Sequence, residues 1–290
     1  MSQPLTQILA SAAFALAAAW LAYRQRLGLS RSLLIAAVRA AAQLALVGLL
    51  IALVFRVPAL AIAFVAVMVL TASLTAGSRM RALPGSRRIA VGAIALPALG
   101  ATGALLAVGA FTATPRATIP TAGILIGGAM LATTLTGRRL VEGLSDGIDE
   151  IEARLALGDR ARDAVAPLSR RAISAALVPL IDQTRSAGLV TLPGTFVGLV
   201  LGGASPATAA RVQLTVLLTL LLVQLLSALL TAELVTRAAT LPGERVRALP
   251  ESVGLSSPRV ECRSAFRNVP RCRVLPRHRE QGPSGEDEHA

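Results

Sequence analysis

Apolar blocks, each about 20 residues long, recur along this sequence and constrain it more than any other feature. A helix of that length rises 1.5 Å per residue and so crosses the roughly 30 Å of hydrocarbon in a bilayer. Hydrophobic residues make up 54% of the chain and charged residues 16%, which is more apolar sequence than a soluble core of this size needs. The sequence therefore predicts an all-α, polytopic transmembrane helical bundle.

Seven apolar segments can be drawn, separated by polar stretches of unequal length. We place them at about residues 5–23, 32–55, 57–76, 89–111, 118–137, 187–204 and 209–236. They predict one transmembrane domain over residues 1–249, with a long loop at 138–186 between the fifth and sixth segments. Residues 250–290 are rich in Pro, Ser, Arg and Glu, so we expect a disordered cytoplasmic tail.

Arginines concentrate in alternate loops. All 29 basic residues are arginines, and the loops after the first, third, fifth and seventh segments hold three or more each. The other loops hold one each, Arg56, Arg116 or Arg211. Because arginine-rich loops stay in the cytoplasm, we expect the N-terminus outside and the C-terminus inside a multi-pass protein of the cell (inner) membrane. The same distribution explains the net charge of +13 without a nucleic-acid partner.

Several kinds of chemistry are excluded by residues that the sequence lacks. Lysine is absent from the whole chain, so a phosphate-binding P-loop cannot form and we expect no ATPase site in this chain. The histidines and cysteines lie only in the tail, at a spacing that matches no compact zinc site: Cys262, Cys272, His278 and His289. We therefore expect no enzyme activity, no catalytic residue, no metal site and no cofactor.

Polar residues within the apolar segments are candidates for the lining of a translocation path. Arg39 and Gln43 are one helical turn apart in the second segment, and Gln213 lies in the seventh. An arginine at a helix centre costs roughly 2.5–3.5 kcal/mol to insert, so such a side chain faces protein or water. The alternative is structural, with Arg39 pairing with a carboxylate or with a helix C-terminus.

Glycines at four-residue spacing predict close helix packing in two segments. Small residues at this spacing let helix backbones approach one another, either within the subunit or across a homodimer. They are Gly123 and Gly127 in the fifth segment, and Gly194, Gly198 and Gly202 in the sixth.

The loop at 138–186 contains charged residues of both signs and an apolar stripe, typical of a solvated helix with one buried face. That helix either lies on its own protein or docks a cytoplasmic partner. Glu152 and Ala153, followed by Gly158, resemble the EAA-x-x-x-G coupling loop of bacterial ABC-transporter permeases, with Arg154 in place of the second alanine. The resemblance implies that these residues contact a separate ATP-binding cassette subunit.

A longer resemblance covers roughly residues 5–237. Residues 39–48, 119–130 and 178–194 are similar to segments of the FetB-like iron-export permeases, a family related to plant aluminium-tolerance permeases. The resemblance implies a permease subunit that works as a homodimer and exports iron or another metal species, with ATP hydrolysed by a separate subunit. The plant relatives imply a sugar-nucleotide or another solute as an alternative cargo.

Two other functions remain open from the residues alone. A stand-alone secondary carrier would need a buried acidic residue near the membrane midplane, and the segments offer only Glu233, close to an end. A scaffold protein that moves no cargo would tolerate the loss of Arg39 and Gln43.

Overall fold

The computed structural model describes residues 3–247, 260–261 and 273–274. Within them the helices are α1 (Gln3–Arg24), α2 (Ser30–Arg56), α3 (Pro58–Arg79), α4 (Ser86–Ala107), α5 (Pro115–Asp146), α6 (Ile148–Ala156), α7 (Ala161–Ser186), α8 (Gly194–Leu201) and α9 (Pro206–Ala239). Two antiparallel pairs of two-residue strands follow, β1 (Thr240–Leu241) with β2 (Arg245–Val246) and β3 (Val260–Glu261) with β4 (Arg273–Val274). Apart from β3 and β4, the predicted disordered tail lies outside the described residues, as does the predicted domain boundary at residue 249.

Seven of these helices are long and apolar enough to cross a membrane, namely α1 to α5, α7 and α9. Each has at least 22 residues, which corresponds to about 33 Å or more of helix. In a bilayer a helix satisfies every backbone hydrogen bond within one segment, so a chain this apolar has few alternatives. The prediction of an all-α, seven-span transmembrane bundle is confirmed.

The sixth spanning helix corrects the predicted loop at 138–186. The helix α5 continues to Asp146 and α7 occupies 161–186, so that only residues 147–160, which include α6, connect the two. The predicted sixth segment at 187–204 instead holds an irregular stretch and the short helix α8. Charged residues interrupt α7 and give it the lowest mean hydropathy of the seven spanning helices, 1.3. For this reason it was not recognised as a spanning segment from the sequence.

The core of the bundle is formed by α5 and α9, with α3, α4 and α7 packed around them. Alanine is the commonest buried residue, and larger side chains such as Ile94, Leu125 and Val223 are completely enclosed. The helices α1 and α2 pack mainly on each other and on α3, at the periphery. Their side chains, including Phe14 and Leu49, are largely exposed, as expected for lipid-facing helices.

Glycines allow the closest contacts between the central helices. A Cβ built on Gly137 would lie 2.1 Å from Sδ of Met80, which is completely buried. A Cβ on Gly128 would lie 2.3 Å from Cδ1 of Leu220. A larger residue at either position would therefore force the facing side chain, Met80 or Leu220, to move. Neither glycine was among those predicted from the sequence to support helix packing.

The glycines singled out for helix packing divide into two groups. Gly123 lies against α3, since its Cβ would come within 2.8 Å of Met68 Cε. By contrast, Gly127, Gly194 and Gly198 have open space where a Cβ would be, and Gly202 meets only carbonyl oxygens of its own helix. Within this chain the glycines of α8 therefore serve no packing contact between helices.

Candidate functional site

The short helix α6 lies where α5 ends and α7 begins, at what we term the α6 end of the bundle. One face of α6 packs on its own chain, since Ile151 is buried and Leu155 contacts the core. Leu144, in the last turn of α5, is buried as well. The apolar stripe seen in the sequence therefore mostly covers the protein's own core, and this holds α6 firmly against α7.

The opposite face of α6 is exposed. Glu152 and Ala153 are exposed, and Glu152 forms no hydrogen bond or ion pair with another described residue. Leu157, at the end of the helix, is 87% exposed. An uncommitted carboxylate, a small residue and an exposed leucine together make a surface that a groove on another protein can accept.

Gly158 ends α6 with a Schellman turn. Its N–H donates to the carbonyl of Leu155 at 3.0 Å, and the N–H of Asp159 donates to the carbonyl of Arg154 at 3.1 Å. This pattern requires a left-handed residue after the helix, and Gly158 has φ +96°. Side chains other than glycine are strained in that conformation. The glycine of the predicted motif therefore has a definite structural task, which is to turn the chain back towards α7.

Arg154 stabilises this turn from within. Its guanidinium lies 3.3 Å from Glu150 and 3.9 Å from Asp159, which lie on either side of the turn. All three side chains are about half exposed, so the energetic contribution is modest, about 0.2–1 kcal/mol per pair. Arg154 stands where the coupling-loop pattern has its second alanine, and its side chain forms ion pairs within the α6 segment.

The start of α7 is fixed to the end of α9. Glu233 accepts from Arg162 and from Arg237, both at 2.7 Å. Ala161 N–H donates to the Glu244 carboxylate at 2.5 Å, and Ser169 hydrogen-bonds Thr236 at 3.2 Å. These contacts join α7 to α9 at the α6 end of the bundle. From the sequence, Glu233 was noted only as an acidic residue close to the end of a segment, and no local pattern indicated that it joins two helices.

A polar cavity of about 410 Å³ lies at the other end of α7, next to α9. Its polar lining comes from amides and hydroxyls: Gln183, Thr184, Thr191, Thr195, Gln213 and Gln224. No charged side chain lines it. A larger cavity of about 510 Å³, between α3, α4 and α5, has an almost wholly apolar lining and offers little to recognise a polar solute.

Two glutamines leave hydrogen-bonding groups unused at the polar cavity. The side-chain oxygen of Gln213 is buried and has no hydrogen-bond partner among the described residues. Gln224 is 4% exposed and likewise makes no hydrogen bond to another described residue. A buried amide without a partner costs about 1–3 kcal/mol, so a bound solute or water that pairs with these groups is favoured.

The cavity lies beside a break in the helical path. Helix α7 ends at Ser186 and α8 begins at Gly194, and the residues between them are not helical. Thr191, Leu192 and Pro193 from this break line the cavity together with Gln213 and Gln224. Helices interrupted beside a polar cavity are a common way for transporters to bind a solute within the membrane.

Arg39 and Gln43 do not contribute to this cavity. Both are exposed on the peripheral helix α2, whereas the cavity is lined from α5, α7, the break, α8 and α9. Of the three residues predicted to line a translocation path, only Gln213 lines this cavity. Gln183 was not among the predicted residues because it lay in the segment that we interpreted as a loop.

The described residues contain no group of three or more His, Cys, Asp or Glu side chains arranged to hold a metal ion. The cysteines and histidines of the tail lie outside the described residues. The described part has an unpartnered amide at a polar cavity and an exposed helix face at the α6 end.

Comparison with known proteins places the chain in one family of membrane proteins. The model of the uncharacterised protein family UPF0014 matches residues 5–239. The UPF0014 membrane protein STAR2 of Oryza sativa subsp. japonica is 38% identical over 73% of this chain and 75% of its own length. The protein ALUMINUM SENSITIVE 3 of Arabidopsis thaliana is 34% identical over 68% of this chain and 73% of its own.

A bacterial relative carries a functional name. The probable iron export permease protein FetB of Escherichia coli is 30% identical over 68% of this chain and 76% of its own length. No solved structure matches the chain. The family match to residues 5–239 covers nearly the whole transmembrane bundle.

Proposed function

Because this chain belongs to the UPF0014 family, the group in which its resemblance to FetB-like permeases placed it, we propose that it is the permease subunit of an ABC transporter. It resides in the cell (inner) membrane as a homodimer and carries a solute across while a separate ATP-binding cassette subunit hydrolyses ATP. The exposed face of α6 is the observation that carries the proposal. A helix held firmly on one side and uncommitted on the other is suited to receive motion from a partner.

The α6 end of the bundle faces the cytoplasm in this proposal. The turns after α1 and α3, the α5–α7 connection and the residues after α9 share the arginine-rich side of the sequence. Such loops remain in the cytoplasm when a membrane protein inserts. The N-terminus is then outside, and Glu152, Ala153 and Gly158 are within reach of a cytoplasmic ATPase subunit.

Coupling follows from the contacts between α6 and the two helices that line the cavity. Displacement of α6 by the ATPase subunit is passed through the Gly158 turn to Ala161, and through the Arg162–Glu233 ion pair to α9. The far part of α7 and the middle of α9 line the polar cavity. Motion at the α6 end therefore changes the distance between Gln183 and Gln213 and opens the cavity to alternate sides.

Iron, or another metal species, is the first cargo to test, because the Escherichia coli relative is named a probable iron export permease. The neutral lining of the cavity supports a second candidate, an uncharged or chelated solute that forms hydrogen bonds. Amide and hydroxyl groups recognise such a solute by pairing with its polar atoms. Transport of radiolabelled iron in inverted vesicles, in the presence and absence of a chelator, separates the two cargoes.

The experiment that tests the proposal is a search of the neighbouring reading frames for a small P-loop ATPase, its co-expression with this chain, and purification of this chain. We expect the ATPase to be retained and its ATP hydrolysis to rise. Glu152→Arg should abolish both effects, because it reverses the charge of the exposed face of α6. Arg116→Glu, an exposed charge reversal at the opposite end of the bundle, is the matched control.

If the wild-type chain never retains an ATPase, the proposed partnership is wrong. If Arg116→Glu weakens retention as much as Glu152→Arg does, the partner docks elsewhere. Transport by the purified chain alone in liposomes with an ion gradient would support the secondary carrier instead.

A further inference from the structure

Several buried hydroxyl groups in the helical core make no hydrogen bond to any described residue. All of them are at most 1% exposed, and they belong to Ser73, Thr133, Thr136 and Ser227. Buried polar groups in proteins are nearly always paired, so each exception requires a physical reason. Thr102 and Thr231 in the same core follow the usual pattern, since each donates to the carbonyl four residues earlier, at 2.7 and 2.6 Å.

Ser227 continues a polar stripe of α9 that begins in the polar cavity. Gln213 and Gln224 line that cavity. Ser227 and Thr231 follow three and four residues further on. All of these side chains lie on one face of α9, because their spacing corresponds closely to whole helical turns. Ser227 and Thr231 are completely buried and lie beyond the cavity, towards the α6 end.

The stripe faces α5. A Cβ on Gly128 would lie 3.2 Å from the side-chain nitrogen of Gln224, which fixes the relative depth of the two helices. Because α9 follows α5 by two crossings, both helices run in the same direction. Thr136, about two turns beyond Gly128, therefore lies at about the depth of Thr231. Thr133 lies on another side of α5, and Ser73 belongs to α3.

Helix α4 covers the same region. A Cβ on Gly92 would lie 3.7 Å from Leu234 Cδ1, and Leu234 is about two turns beyond Ser227 on one face of α9. Since α4 runs opposite to α9, the buried Pro97 lies within about one turn of the depth of Ser227. Proline has no N–H to donate, so the carbonyl of Ala93 loses its regular helical partner, and helices bend at such positions.

These groups form what we term the polar seam: the hydroxyls of Thr136, Ser227 and Thr231 and the carbonyl of Ala93. The seam begins where the polar cavity ends. One turn further towards the α6 end, the completely buried side chains of Leu140 and Val235 close it. A hydroxyl with a purely structural task keeps a fixed partner. A group that meets water or solute in one state and protein in another has no permanent partner, and this matches the seam.

We propose that the polar seam is the closed half of the solute path, which leads from the polar cavity to the α6 end and opens when α4 bends at Pro97. The inference rests on the proposed function and specifies the route within the bundle. The seam presents hydroxyl and carbonyl oxygens, so a solute that passes, or its water shell, exchanges hydrogen bonds with neutral oxygen atoms.

Thiol labelling tests the route. In a Cys262→Ser, Cys272→Ser background, Ser227→Cys places a thiol in the seam, and Ala232→Cys, at a 4% exposed position, places one on another face of α9. The assay uses membranes of cells that naturally make this chain, so that any partner is present. A small charged methanethiosulfonate should label Ser227→Cys about tenfold faster than Ala232→Cys, because only a local opening exposes a buried thiol. Equal rates would overturn the route.

The bend in α4 is tested in the same assay. Pro97→Ala restores the helical hydrogen bond and should slow labelling of Ser227→Cys about fivefold or more, because the seam opens less often. Pro120→Ala, at an exposed proline of α5, is the control and should leave the rate unchanged. An unchanged rate in Pro97→Ala would show that the seam does not open by bending of α4.

A stability measurement tests whether the seam hydroxyls lack fixed partners. Thr136→Val keeps the shape of the side chain and removes an unpaired hydroxyl, so Tm should stay the same or rise. Thr102→Val removes a hydroxyl that is hydrogen-bonded and should lower Tm. A larger loss of Tm in Thr136→Val than in Thr102→Val would show that a bound water holds the hydroxyl permanently, against the proposal.

Failure here is distinguishable from failure of the proposed function. Labelling of Ser227→Cys that depends on ATP supports both the route and the ATPase partnership, whereas labelling independent of ATP supports the route and contradicts the partnership. If an ATPase subunit is retained but Ser227→Cys stays unlabelled while Gln213→Cys is labelled, the permease assignment stands and the seam is not its path.

Discussion

Substitution of Gly137 by alanine tests the packing of α3 on α5. The added Cβ would lie 2.1 Å from Sδ, 2.8 Å from Cγ and 3.3 Å from Cε of Met80. Ordinary contacts between such atoms are about 3.5–4.0 Å, so the side chain has to move by roughly 1.5 Å. Met80 is completely buried, and it therefore has no free space into which to turn.

The expected magnitude follows from two opposing effects. Forcing extra volume into a packed core costs about 1–3 kcal/mol, and a clash this deep belongs at the upper end. Alanine in place of glycine within a helix contributes up to about 1 kcal/mol in the other direction. We therefore expect Gly137→Ala to lower the free energy of unfolding by about 2 kcal/mol.

The matched control is Gly127→Ala in the same helix, where no atom lies within 4 Å of the added Cβ. Only the helix-propensity effect remains there, so this variant should be neutral or stabilised by up to about 1 kcal/mol. Opposite signs for one chemical change in one helix isolate the contact with Met80. Unfolding by a denaturing detergent, followed by circular dichroism in mixed micelles, measures both.

A double variant completes the test. Met80→Ala should cost less free energy in the Gly137→Ala background than in the wild type, by about 1–3 kcal/mol, because the two residues share one space. Equal stability of Gly137→Ala and Gly127→Ala would refute the packing of Met80 on α5, and with it the arrangement of the helices at the α6 end.

Three further outcomes are expected. Gly158→Ala should cost about 1–2 kcal/mol at the α6 turn and reduce stimulation of the ATPase subunit about tenfold. Gly158→Asn should retain most of the stimulation, because asparagine tolerates positive φ. Equal behaviour of the two variants would contradict the Schellman turn. Gln213→Leu should reduce solute transport while leaving folding and ATPase retention intact, as vesicle uptake and purification would show; unchanged uptake would exclude Gln213 from the path. Arg162→Ala and Glu233→Ala should show a coupling energy of about 0.5 kcal/mol or more in a double-mutant cycle of unfolding, and strict additivity would mean that the ion pair does not join α7 to α9.

The two candidate functional regions, the α6 surface and the polar cavity, do not touch each other but are joined by two shared helices, α7 and α9. The α6 surface and the polar cavity lie at different points along α7, and α7 and α9 contribute to both. Stiff helices transmit a displacement at one end to the other with little loss, because their packed cores resist deformation. In the proposed mechanism, this rigidity lets one small helix outside the membrane control a cavity within it.

Much of the architecture was predictable because hydrophobic length is a local property. Six of the seven spanning helices coincide with apolar blocks seen in the sequence. The α6 motif was also recognisable, because a helix that ends at Gly158 depends on residues close together in the chain. The helix α7 escaped detection since its apolar face is divided by charged residues, and only packing on α5 and α9 shows which face is buried.

The sequence alone determined that this chain crosses a membrane many times and lacks the lysine of a P-loop, because length, hydropathy and composition need no partner residues. The tertiary structure alone decided which polar groups meet. It brought Gln183 to Gln213 and Arg162 to Glu233, and it left Arg39 on the periphery. Such contacts join residues far apart in the chain, and they depend on how helices rotate and stack, which periodicity within one segment does not specify.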